Sequence, residues 1–109
     1  MVNYGGKKGK WFPGVLKTIQ RLAEAKKVVF THKVTLEVSH LGMGIDFDDV
    51  CDILSSLKAS DFWERLKSKQ TQEWLYVFKP DIGGTIIYIK VLVRTECVVI
   101  SFHEDDYEI

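Results

Sequence analysis

Two apolar runs near the C-terminus, Thr85 to Arg94 and Cys97 to His103, are rich in β-branched residues and separated only by Thr95-Glu96. Such a pair reads as a hairpin with a two-residue turn, and a turn of fixed length fixes which residues face each other. With Arg94 opposite Cys97, Leu92 falls against Val99, Lys90 against Ser101 and Tyr88 against His103. Directly opposed side chains share a face about 4.5 to 5.5 Å apart at Cβ. Tyr88, Lys90, Ser101 and His103 therefore form one polar patch. The other face, Ile87, Ile89, Val91 and Val93 beside Val98, Ile100 and Phe102, is apolar, so one side packs on a core and the other meets solvent or a ligand. A solvated polar face needs no function. A phenol, an ammonium and an imidazole without a carboxylate among them nevertheless suit an anion and a proton transfer, and so a phosphate-bearing substrate.

The chain has 109 residues, 46% of them hydrophobic, enough for one compact domain spanning 1–109. No apolar stretch approaches the roughly 18 residues a membrane span needs, and the first six residues lack the apolar stretch of a signal peptide. A cytoplasmic protein without membrane contact is expected. Cys51 and Cys97 have no CxxC or Cys/His ligand spacing, so buried thiols are expected and no metal site. His32 and His40 read as surface residues. Net charge is zero, but the charges are segregated. Residues 1–33 are basic apart from Glu24, 34–64 acidic apart from Lys58, and 65–103 basic again. Past His103 follows an acidic tail, 104–109. Segregation of this kind permits an anion-binding face on a neutral protein.

Residues 1–12 are Gly/Lys-rich and read as flexible. A helix follows from Pro13, with Val15, Leu16, Ile19, Leu22 and Ala23 on one face. Val28 to His32 reads as a strand, while Val34 to Leu41 fits strand alternation and helical turns equally. Gly42-Met43-Gly44 precedes a helix that opens on Asp46 as N-cap, with Asp49 completing a capping box and a stripe of Phe47, Val50, Cys51, Ile53, Leu54 and Leu57. Ser60 is placed to cap a second short helix, Asp61 to Lys67, burying Phe62 and Leu66. Trp74 to Lys79 is a strand with Trp74, Tyr76 and Phe78 on one side, closed by Pro80 and the turn-like Asp81-Ile82-Gly83-Gly84. This order predicts an α+β domain: N-terminal helices on one face of an antiparallel sheet that ends in a three-strand meander. No GxGxxG, P-loop, HExxH or nucleophile-elbow motif is present, so no small-molecule cofactor is indicated.

From Ile45 onward the motifs come in a recognisable series: Ile45-Asp46-Phe47-Asp48 with Cys51, Leu57 with Ser60-Asp61-Phe62, Trp74 with Val77-Phe78-Lys79-Pro80, Tyr88-Ile89-Lys90, and Ile100-Ser101-Phe102. This series resembles the MqsR (motility quorum-sensing regulator) family of bacterial toxins, which have a RelE-like fold. The resemblance implies a metal-independent endoribonuclease that cuts mRNA, the toxin of a type II pair held inactive by a cognate antitoxin. It favours helix for Val34 to Leu41. It places the family's functional tyrosine on Tyr88 and a functional lysine on His103. The family's helical lysine falls on Glu64 and its glutamine after the tryptophan on Leu75, with Arg65 or Lys67 as stand-ins for the lost cation. The expected mechanism lays RNA over the polar face of the meander. His103 acts as general acid or base, Tyr88 and Lys90 hold the scissile phosphate, and Lys79, Arg94, Lys67, Arg65 and Ser101 contact the substrate. The changes at Glu64 and Leu75 also fit a catalytically degenerate relative that serves as an RNA- or antitoxin-binding module.

Overall fold

The computed structural model describes residues 2–3 and 8–105. In chain order they form β1 (Val2–Asn3), α1 (Phe12–Glu24), β2 (Val28–Phe30), α2 (His32–His40), α3 (Phe47–Ser55), a 3-10 turn (Ala59–Asp61), β3 (Phe62–Lys67), β4 (Trp74–Phe78), β5 (Asp81–Ile82), β6 (Thr85–Val93) and β7 (Cys97–Glu104). The main sheet runs β1-β3-β4-β6-β7-β2, with β5 paired to the start of β6. Every pairing is antiparallel except β2 with β7. The architecture is the expected α+β class, the sheet being mixed at that one edge.

Local chemistry explains most of the elements. Asp46 accepts from the Asp49 amide at 2.8 Å while Asp49 accepts from the Asp46 amide at 3.0 Å, the reciprocal capping box that starts α3. Thr31 caps α2 by accepting from the Val34 amide, which settles 34–41 as helix. Gly83 and Gly84 both take positive φ in the β5–β6 turn. Trp11 and Phe12 do not belong to a loose leader. Phe12 opens α1 and is only 4% exposed, its ring 4.9 Å from Phe62. The expectation of flexibility fails there, and residues 1 and 4–7 lie outside those described, as do tail residues 106–109.

One core lies between the helices and a single face of the sheet. Ile19 and Ala23 of α1, Val34 and Val38 of α2, and Val50, Cys51 and Leu54 of α3 meet Phe62, Tyr76, Phe78, Ile87, Ile89, Val91, Cys97, Val99 and Phe102. Both cysteines are free and buried, and burial pushes the Cys97 thiol up to about 12. Leu75, Val77 and Leu92 are also buried but stand outside that core, pointing to the opposite face.

Two sequence expectations are corrected. Asp61 to Lys67 is not a helix but the end of the 3-10 turn and strand β3. The Phe62/Leu66 spacing that resembles a helical stripe arises because β3 carries an irregularity between Phe62 and Glu64, where Trp63 is the extra residue. Asp61, not Ser60, makes the cap, accepting from the Lys58 amide at 2.8 Å. The β6–β7 turn is also one residue longer than expected, Arg94-Thr95-Glu96, so Val93 faces Cys97 and Leu92 faces Val98. A bulge at Ile100 then restores the expected pairs Lys90–Ser101 and Tyr88–His103. Cys97 and Val99 consequently turn into the core, while Val98 joins the helix-free face.

β2 pairs with β7 only as far as Val99, leaving the next stretch of that edge without a strand. Side chains from α2 take its place. Glu37 Oε1 accepts from the Phe102 amide at 2.9 Å, and Lys33 Nζ donates to the Ile100 carbonyl at 3.2 Å. Burial opposes ionisation of Glu37, but the Phe102 amide and the Lys33 ammonium outweigh it and hold the carboxyl below its ordinary 4.5. A depressed carboxyl stabilises the fold above its unfolded value, and that stabilisation is lost as pH falls through the folded one. Glu37→Gln is expected to be less stable than the parent at neutral pH, with the difference shrinking below pH 4.5. Urea titrations at several pH values read this directly.

Candidate active site

The helix-free face is organised in rows set by strand register. At one end Tyr88 of β6 and His103 of β7 face each other, their rings stacked at 5.1 Å and 9°. One step along the strands come Glu64, Val77, Lys90 and Ser101, from β3, β4, β6 and β7. The following row, Leu66, Leu75, Leu92, Val98 and Val29, is wholly aliphatic. Chemistry is thus concentrated at one end of the face.

His103 Nδ1 lies 2.8 Å from the Glu104 carbonyl oxygen. A carbonyl only accepts, so Nδ1 carries the hydrogen, and in the neutral ring Nε2 holds the lone pair. Burial, then the charges of Glu64 and Asp105, raise the Tyr88 phenol above its ordinary value, which keeps it a neutral donor. Lys90 is pushed below its ordinary value by burial and then by the Lys33 ammonium, against the opposing pull of Glu37 and Glu64. Lys79 completes this end. Its Nζ lies 3.9 Å from the Trp63 ring centroid, 5.9 Å from that of Tyr88, and 3.4 Å from Asp105 Oδ2. Trp63 and Lys79 also line a cleft of about 440 Å³ with Phe62, Ile86 and Asp105. A stacked phenol and imidazole, flanked by ammonium groups and an indole, suit a phosphodiester with a base beside it.

Residues 14–104 match the family described as motility quorum-sensing regulator, toxin of MqsA. The chain belongs to the MqsR toxin family. The mRNA interferase toxin MqsR of Escherichia coli K12 is 28% identical over 90 residues, which cover 82% of this chain and 90% of that protein. Among the described residues no helix is long and apolar enough to cross a membrane.

Within this MqsR-family fold the candidate residues divide by face. Tyr88, His103, Lys90, Ser101 and Lys79 come together at one end of the open face. Arg65 and Lys67 do not join them, because strand alternation turns both to the helix side. The Arg65 guanidinium is held between two indoles, 4.2 Å from Trp11 and 3.8 Å from Trp74, and Lys67 Nζ lies 5.1 Å from Trp74. Arg94 lies in the turn just past β6, six residues from Tyr88 or about 20 Å at strand rise, and makes a bidentate pair with Glu73 at 2.7 and 2.9 Å. Glu64 does occupy the patch, so a carboxylate stands where the resemblance expects a cation.

Sequence reasoning missed Trp63, Lys33 and Glu37. The pair Phe62-Trp63 carried a usable signal, since consecutive side chains in a strand point to opposite faces and a second bulky ring has to leave the core. Lys33 and Glu37 carried none, because their reach to β7 depends on long-range packing of α2. Arg65→Ala is expected to cost about 1–2 kcal/mol by removing a guanidinium stacked on two rings. Chemical denaturation of parent and variant measures it.

Proposed function

We propose that this chain is the toxin of a type II toxin–antitoxin pair and cleaves mRNA with Tyr88, His103 and Lys90 at the scissile phosphate. The reading rests on one observation above all, the stacked Tyr88–His103 pair one row from Lys90 and Ser101 on a helix-free sheet face. Family membership supports the same reading, since the E. coli relative is named an mRNA interferase toxin.

In this mechanism His103 Nε2 takes the proton of the ribose 2′-OH, and that oxygen attacks the adjacent phosphorus. The 5′-oxygen leaves and takes up a proton from water, and the His103 imidazolium returns its proton to solvent. The products are a 2′,3′-cyclic phosphate and a 5′-hydroxyl. Lys90 and the Tyr88 hydroxyl donate to the non-bridging oxygens as charge builds on them, with Lys79 close enough to assist. Trp63, 49% exposed, offers a stacking surface for a neighbouring base. The partner that restrains the activity is an antitoxin of the MqsA kind, and the place of action is the cytoplasm, where mRNA is found.

Glu64 favours a second reading, an RNA- or antitoxin-binding module without turnover, because its carboxylate faces the groups meant to hold phosphate. Purified parent, incubated with single-stranded RNA in EDTA, is expected to leave cyclic phosphate ends. His103→Ala is expected to be slower by about 100- to 10,000-fold, the usual contribution of a positioned acid or base. Absence of cutting by the parent would move the assignment to the binding module. Glu64→Lys is expected to tighten RNA binding and raise the cleavage rate, and competition binding beside single-turnover kinetics separates the two effects.

A further inference from the structure

Lys33 stands in the first turn of α2, a turn without an acidic residue, where the helix dipole disfavours a cation. Its Nζ reaches β7, 3.1 Å from Ser101 Oγ, 3.2 Å from the Ile100 carbonyl oxygen and 2.9 Å from Glu37 Oε2. Ser101 is the cross-strand partner of Lys90. The Lys33 ammonium therefore sits on the serine that faces Lys90 across the strands, close enough that its charge acts on Lys90 against protonation. Capping the β7 edge accounts for the reach of Lys33, but bringing its charge toward Lys90 carries a repulsion that an arriving anion would relieve, so the arrangement marks a place where an anion fits. Glu37 does not neutralise this purpose. It is tied to the Phe102 amide and anchors the Lys33 ammonium over the sheet instead of letting it trail into water. The Lys33 side chain stays 60% exposed, so an anion reaches it from the solvent side, in exchange for the longer contact to the Ile100 carbonyl.

We propose that Lys33, together with Lys90, holds the phosphodiester next to the one that is cut. This subsite rests on the mRNA-cleavage reading and extends it. The Lys90–Ser101 row lies one same-face repeat, about 6.6 to 6.8 Å, from the Tyr88–His103 row. That is on the scale of one nucleotide of an extended strand. Lys90 lies between the two phosphates, and Lys33 addresses only the second.

The test is binding of a short single-stranded 2′-O-methyl RNA, which lacks the attacking hydroxyl, over a series of salt concentrations. Lys33→Met is expected to reduce the slope of log affinity against log salt by about 0.7, the value of one phosphate contact on a single strand. Lys33→Arg, which keeps the charge, is expected to retain the parent slope. RNAs with a neutral methylphosphonate immediately 5′ or 3′ of the cleavage phosphate give the second arm. One of the two is expected to weaken binding to the parent without further weakening Lys33→Met. A parent slope in Lys33→Met, or equal weakening of parent and variant by both methylphosphonates, overturns the subsite while leaving the cleavage reading intact. Failure of the folded parent to bind RNA at all overturns both.

Discussion

Everything on the open face depends on how β7 is registered against β6. Strand pairing has a side-chain period of two, so a slip of one residue would send His103 and Ser101 to the core and put Phe102 in water. Two departures from regularity cancel to prevent this. The three-residue turn shifts the near half of the hairpin by one residue, and the bulge at Ile100 shifts it back. The near half then delivers Cys97 and Val99 to the core beneath α1 and α3, while the far half delivers Tyr88, Lys90, Ser101 and His103 to one surface. A bulge also bends and twists a strand locally. It falls where β2 has ended and α2 takes over the edge through Glu37 and Lys33.

The pairs proposed to carry the chemistry were legible in the sequence even though the turn was not. Ser101 and His103 alternate with Phe102, and Tyr88 and Lys90 with Ile87, Ile89 and Val91, so burial of the apolar set decides the orientation of the polar one. What local pattern does not encode is where the extra residue sits. A two-residue turn without a bulge and a three-residue turn with one place the same residues opposite each other at Tyr88 and Lys90. Phe62-Trp63-Glu64-Arg65-Leu66 misled for a related reason. Its apolar spacing looks helical only because Trp63 interrupts the alternation, and the interruption is fixed by pairing with β4. Arg65 and Lys67 were then assigned to the wrong surface. Parity along a strand, unlike position around a helix, leaves no intermediate choice.

Arg65, Arg94 and Lys90 show how context divides similar cations among different tasks. Arg65 is planar and weakly hydrated, and it fills the gap between two indoles on the helix side. Arg94 is clamped bidentately by Glu73 at the turn, and the guanidinium together with Thr71 holds that carboxyl down at about 2. Lys90 has a compact ammonium, partly desolvated on a sheet, where a point charge suits the proposed phosphate contact without imposing a planar fit.

The charge balance of the open face bears on how RNA would arrive there. Lys33 is held by Glu37 and Lys79 by Asp105, and Lys90 feels the opposing charge of Glu64. Among the described residues, Lys33, Lys79 and Lys90 at this end of the face are therefore each set against a carboxylate, on a chain whose net charge is zero. Such a surface projects little field beyond a Debye length of about 8 Å at physiological salt, so it does not steer a polyanion from a distance. On the proposed reading affinity has to come from contact: bases stacking on Trp63 and Tyr88, and phosphates accepting hydrogen bonds from ammonium groups that carboxylates hold in the free protein. As the proposed RNA site it would favour a strand whose bases are already unstacked, because a duplex offers phosphates without free rings. On the proposed reading the neutral patch would act as a selectivity device, without the sequence-independent attraction that scatters a basic nuclease along every nucleic acid in reach.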